Sequence, residues 1–218
     1  MPQIERMTLE KALSLRHAKA VVDSFCSDRS TYSDEDVYLK RGVCKVLAEE
    51  YCPLVRLAEE YSCVRSVLLL PKANPGPDGE IRFWWRRSSK VQVTCANEGY
   101  NRALLREQFV QGEDMVFQHQ SRYRDKASGL VVSTGRALST PAADVQSRIE
   151  RILQAIEAKE RNHYPGTDTL LVQDDPANFR HLKESGLHRK VCEAVRKGRR
   201  SRYKRIYVNY GDDLKRIK

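Results

Sequence analysis

Apolar positions recur at helical spacing over Leu9, Ala12, Leu13, Leu15, Ala18, Val21 and Val22, which predicts a helix across residues 1–30. Ser27 to Ser33 is a polar break. Ser33 then reads as an N-cap with Asp34, Glu35 and Asp36 in the first turn, where carboxylates favour the helix dipole. Val37, Leu39, Val43, Val46 and Leu47 carry that second helix to Tyr51, and Pro53 suits the first turn of a third, ending near Tyr61. The pattern then changes period. Ser66 to Leu70 is a short apolar strand, and residues 71–79, with three prolines and two glycines, are a loop. Ile81 to Trp85 and Lys90 to Ala96 read as the two strands of a hairpin, the second alternating Val91, Val93 and Cys95 against Gln92 and Thr94. Arg86-Arg87-Ser88-Ser89 is the polar turn between them. One tryptophan of the Trp84-Trp85 pair is expected in the core and the other half-exposed.

Helical composition returns over Asn101 to Gln111 and stops at Gly112. Met115 to Gln120 and Leu130 to Ser133 read as short strands around a basic, aromatic loop, S-R-Y-R-D-K-A-S-G, which is either an insertion that meets nucleic acid or a plain surface hairpin. Thr140-Pro141 starts a helix whose stripe is Val145, Ile149, Ile152, Leu153 and Ile156; Pro165-Gly166 ends it. Thr169 to Val172 is a buried-type strand, Asp175-Pro176 begins another helix, Leu187, Val191 and Val195 continue an apolar face, and Arg205 to Tyr210 is the last strand. A terminal strand–helix–strand implies parallel pairing and the hairpin implies antiparallel pairing. The expectation is an α/β fold: a single mixed β-sheet flanked by helices, with residues 1–62 as an N-terminal helical region packed on an α/β core of residues 63–218.

Composition narrows the class. The chain of 218 residues is 40% hydrophobic and 31% charged, and no apolar run approaches the roughly 18 residues of a membrane span. The start, M-P-Q-I-E-R-M, lacks an apolar secretory core, so a cytoplasmic location is expected. Six cysteines without a C-x-x-C pair read as buried reduced thiols rather than a zinc or redox motif. The net charge is +10, and the segment from Arg180 to Lys218, with 14 Lys+Arg against 4 Asp+Glu, holds all of the excess. Arg189, Lys190, Arg196, Lys197, Arg199, Arg200, Arg202, Lys204 and Arg205, with Tyr203 and Tyr207 interleaved, form a candidate footprint for a polyanion. Nucleic acid, DNA first, is the expected partner. A solvated basic tail, an acidic protein partner and a homodimer stay open.

No P-loop, dinucleotide fingerprint or G-x-S-x-G elbow is present. What remains is the polar cluster at the hairpin. Mg2+ takes hard oxygen ligands, one or two carboxylates plus water and substrate phosphate. Asp78, a helical Glu from Glu49-Glu50 or Glu59-Glu60, and Gln92 could supply them. The plain alternative makes Asp78 a turn residue before Gly79, Gln92 and Thr94 a solvent-facing strand surface, and the glutamates a solvated helix face.

Pro77-Asp78 ahead of the second strand, Gln92-Val93-Thr94 in the third, and the helix–strand–hairpin–helix–strand order from Leu47 to Val172 resemble the PD-(D/E)XK restriction-endonuclease-like superfamily. The resemblance implies a Mg2+-dependent endonuclease hydrolysing DNA phosphodiester bonds. Asp78 would be the metal-binding carboxylate and Gln92 a second metal ligand, with Glu50 or Glu60 assisting. A run like Ile156 to Lys159 with Tyr164 is similar to a later helix of the family. The chain departs from the pattern at Thr94, where the family places a Lys. Its role then moves to Lys90, Arg102 or Lys159, Glu98 being a possible relocated acid, or the fold serves as a non-catalytic binding or protein-interaction module.

Overall fold

The period-two patterns build the sheet. In the computed structural model, which describes residues 6–27, 42–71, 76–85, 87–96, 121–124, 128, 130–134, 141–174, 186–197, 201–210 and 213–218, six strands join into one mixed sheet. Strands β1 (Val64–Leu69), β2 (Gly79–Phe83) and β3 (Ser88–Cys95) form an antiparallel meander. Strand β4 (Ser121–Arg124) pairs only with β5 (Val131–Thr134), in a separate ribbon. Strand β6 (Thr169–Asp174) lies parallel to β3, β7 (Arg205–Tyr210) parallel to β6, and β8 (Asp213–Arg216) returns antiparallel along β7. The expected α/β class, one mixed sheet with helices on both faces, is what the chain adopts. Its strand order is β1-β2-β3-β6-β7-β8.

The helices are α1 (Arg6–Leu9), α2 (Leu15–Ser27), α3 (Gly42–Val46), α4 (Cys52–Glu59), α5 (Pro141–Arg161) and α6 (Leu187–Lys197). Because side chains alternate along a strand, each buried strand feeds two cores. Leu171 joins Val67, Leu69, Ile81, Val91 and Val93 under Leu47, Tyr51, Leu54 and Leu57 from the N-terminal helices. Leu170 and Val172 join Ile206 and Val208 under Val145, Ile149, Ile152 and Ile156 of α5 and Leu187 and Val191 of α6. Among the described residues no helix is long and apolar enough to cross a membrane.

Several expectations are corrected. The helix expected over residues 1–30 is interrupted. Leu13 exchanges two backbone hydrogen bonds with Val67, at 3.0 and 2.8 Å, and Ser14 Oγ accepts the His17 N–H at 3.3 Å, capping α2. Between α3 and α4 the chain makes a π-type turn over Leu47–Tyr51. Pro53 brings no N–H and crowds the preceding turn, and the Cys52 N–H reaches back five residues to Leu47 O. Ser121–Arg124, expected as loop, is strand β4, and β8 was not foreseen. The helices expected from Ser33, Asn101 and Asp175, and the strand from Met115, lie wholly or partly outside the described residues.

Gly79 is required by a close approach rather than a turn. A Cβ there would lie inside van der Waals contact of Leu54 Cδ2 and 3.1 Å from the backbone oxygen of Leu68. Leu54 is fully buried and has little room to yield. Gly79→Ala is therefore expected to cost about 1–3 kcal/mol through overpacking, read as a lowered midpoint in urea unfolding.

Candidate functional site

Asp78 immediately precedes Gly79, whose partner across the hairpin is Val91. Continuing the antiparallel register sets Asp78 opposite Gln92, and cross-strand partners share a sheet face. Two hydrogen bonds fix this arrangement. The Asp78 N–H donates to Val91 O at 3.0 Å, and the Val93 N–H donates to Asp78 Oδ2 at 2.7 Å. The carboxylate thus takes a ladder donor just where β2 begins, and is held against β3 while it does so.

Gln92 is 0% exposed, which corrects its expected solvent-facing alternative. It lies beneath Tyr203, whose hydroxyl donates to Gln92 Oε1 and also stands 3.3 Å from Lys159 O. Burial pushes the Tyr203 hydroxyl well above its ordinary pKa, and the charges of Glu160, Tyr164 and Asp78 add to the shift. His163 packs edge-on against the Tyr203 ring at 4.8 Å between centroids. Gln92 Nε2 is buried without a partner. One hydroxyl hydrogen serves one acceptor. With the amide turned by half a rotation, its amino group donates to Tyr203, Tyr203 donates to Lys159 O, and the unmatched atom becomes the Gln92 carbonyl oxygen.

Tyr203→Phe is expected to cost about 1–3 kcal/mol, because it strands a buried amide. Combining it with Gln92→Leu should recover most of that loss, since two apolar groups then replace two polar ones. Urea denaturation of both variants measures the difference.

The other predicted site residues fall at different places. Lys90 and Thr94 share the Gln92 face, each about 7 Å along the strand from it; Lys90 is exposed and Thr94 half-buried. Lys159 reaches the cluster through its backbone oxygen. Glu50 lies in the π-type turn, which packs on the opposite sheet face: neighbouring Ala48 O accepts from Gln173 Nε2 at 3.3 Å, and Tyr51 belongs to the core containing Val93 and Leu171. Glu60 sits beside Tyr61, whose ring meets Phe83 at the far end of β2. Five strand residues, about 16 Å, separate that end from Asp78. The structure brings Asp78, Gln92, Tyr203 and Glu160 together and leaves Glu50 and Glu60 apart. Glu160 has a structural duty as well, accepting from Ser201 Oγ and from the Arg202 N–H at 3.0 Å. Arg102 and Glu98 lie outside the described residues.

The basic end is part helix and part strand entry. Arg189, Lys190, Arg196 and Lys197 are exposed on α6, and Arg202 and Lys204 are exposed on either side of Tyr203. Arg205 is half-buried, 4.0 Å from Asp168 Oδ2 and over the Tyr61 ring. Arg199 and Arg200 lie outside the described residues. The interleaved tyrosines do not face solvent: Tyr203 and Tyr207 are buried. Tyr203 instead links the basic segment to Gln92, a contact its sequence setting does not announce.

Among the described residues no group of three or more His, Cys, Asp or Glu side chains is placed to hold a metal ion. The candidate oxygen donors at the hairpin are the Asp78 carboxylate, which also accepts the Val93 N–H, and, in its turned rotamer, the Gln92 carbonyl. Mg2+ retains most of its waters and binds through one or two protein ligands; the half-buried Asp78 carboxylate matches that chemistry, and Gln92, 0% exposed, would have to open from beneath Tyr203 to join it. No family model, curated protein or solved structure matches the chain.

Proposed function

We propose that the chain is a nucleic-acid-binding protein that hydrolyses phosphodiester bonds of DNA with Mg2+ held by Asp78 and Gln92. The observation that carries this reading is the shared face of Asp78 and Gln92, joined through Tyr203 to the exposed cations Arg202 and Lys204. The β1–β2–β3 meander, followed by α5 and a β6 parallel to β3, accords with the element order on which the PD-(D/E)XK resemblance rests. When bound, Mg2+ would supply an activated water and neutralise charge on the phosphate. Asp78 and Gln92 would position it, and the cations of the 202–204 segment would hold the phosphate backbone without reading sequence. Lys90, on the Gln92 face, would take over the Thr94 position's orienting role. Water adds across one P–O bond and leaves a phosphomonoester and a hydroxyl.

A second reading is a non-catalytic binding module, and Thr94 at the expected Lys position favours it. Incubating the protein with supercoiled plasmid and Mg2+, beside a chelator control, separates the two. Mg2+-dependent nicking is the expected result; binding without nicking under all divalent conditions would leave only the module. An acidic protein partner is a third reading, and it would be favoured by absent DNA affinity at low salt. For either nucleic-acid reading affinity falls steeply as salt rises, because each neutralised phosphate releases counterions.

A further inference from the structure

Both tryptophans of the chain lie in the turn between β2 and β3, and both are exposed: Trp84 by 66% and Trp85 by 77%. Their sequence setting predicts one of them in the core, so the exposure is a departure that needs a cause. The turn is anchored. The Phe83 N–H donates to Arg87 O at 2.9 Å, and the Trp84 N–H donates to Cys63 O at 3.2 Å. Cys63 itself adopts a left-handed φ of 64°, uncommon for a residue other than glycine. Two indoles are therefore presented from a fixed turn. A cation lies beside one of them. The Arg65 guanidinium lies 5.8 Å from the Trp84 ring centroid, and Arg65 and Arg87 are both exposed. Arg82, by contrast, is paired with Glu80 at 3.0 Å.

We propose that Trp84 and Trp85 form a stacking platform for unpaired bases of a nucleic-acid strand, with Arg65 and Arg87 on its phosphates. The proposal rests on the nucleic-acid reading above and deepens it by adding a single-stranded element. Aromatic faces stack on any base, and guanidinium groups beside them meet the backbone. The alternative occupant, a lipid surface, fits less well. Sinking Trp84 into an apolar layer would carry the Arg65 charge with it or break the contact between them, whereas stacking leaves that charge at the phosphates. Trp84 stands six strand residues from Asp78, about 20 Å. The platform would thus hold a strand well away from the phosphate at Asp78.

The chain has no other tryptophan, so intrinsic indole emission reports this turn alone. The full-length protein is titrated with a labelled single-stranded DNA of about twenty nucleotides, longer than one stacking site needs. Label anisotropy reports binding and indole emission reports stacking. Duplex DNA, inorganic polyphosphate and phosphatidylserine-containing vesicles are titrated in parallel. The expected result is quenching by the single strand but not by polyphosphate. Trp84→Ala and Trp85→Ala should each weaken single-strand binding by about tenfold, with Trp85→Phe restoring part of it and circular dichroism unchanged. Each single variant keeps the other indole as reporter. Single-strand binding with unaltered indole emission and unaltered affinity in the variants overturns the platform and leaves the nucleic-acid reading standing. No binding of single strand or duplex at low salt overturns both. A blue shift on vesicles without quenching by DNA overturns the platform in favour of a membrane contact.

Discussion

Arg148→Ala is expected to lower the unfolding free energy by about 3–5 kcal/mol, a large share of the roughly 5–15 kcal/mol that a folded domain has in total. Arg148 of α5 and Asp174 at the end of β6 lie 3.6 Å apart, with side chains 5% and 2% exposed. They sit at the margin of the core formed by Val145, Ile149, Ile152 and Val172. Two charges taken out of water lose hydration that their mutual attraction only partly returns. Removing one partner takes a nearby counter-charge from a group that stays buried, and that is where the cost arises. Asp174→Ala should cost a similar amount. Arg148→Met combined with Asp174→Leu removes both charges and should cost far less than either single change to alanine, since neither member of the pair is then left buried without the other. Urea titrations with matched slopes measure all of these; equal losses in the double and single variants would contradict the assignment.

The second large effect concerns the proposed nuclease activity, and it has to be separated from a structural one. The Asp78 carboxylate accepts the Val93 N–H at 2.7 Å, so alanine there would remove the proposed ligand and also strand a ladder donor, at about 1–3 kcal/mol. Asparagine is the cleaner change. Its carbonyl oxygen can still accept from Val93, while the negative charge proposed to attract Mg2+ is gone. Asp78→Asn is therefore expected to fold and bind DNA as the parent chain does, and to show no Mg2+-dependent nicking. Asp78→Ala should lose nicking and some stability together. Nicking at the parental rate by a folded Asp78→Asn protein would remove Asp78 from the site, and with it the metal assignment.

How far the chain can be read without coordinates depended on where the burial signal was unambiguous. The start of α5 follows from Thr140-Pro141, and β6 and β7 follow from apolar runs that have no polar face to conceal them. Strand β8 was missed because D-L-K-R is too short and charged to show a period, although Gly211-Asp212 ahead of it is a recognised hairpin dipeptide. Trp84 and Trp85 misled because size and apolarity usually mean burial. Within the site, Asp78 and Gln92 were legible as neighbours through hairpin register. Tyr203 was not, since contact between residues 92 and 203 arises only when β7 docks beside β6. Glu160 was hidden for the same reason: helix position alone does not say which end of a sheet a helix crosses. Arg148 had a visible signal, a charged residue three positions after Val145 within the apolar stripe, which marks a buried cation in search of a counter-ion.

The sheet ends differently on its two sides. On the β8 side, Lys215 and Arg216 are exposed, and such charges discourage another chain from adding a strand. On the β1 side, the protection described is the pair of bonds between Leu13 and Val67. A chain beginning at residue 15 would lose those two bonds, the protection that the described residues give β1. Its fate in concentrated solution would then turn on self-templated growth, in a protomer that has also lost Leu9 from its core.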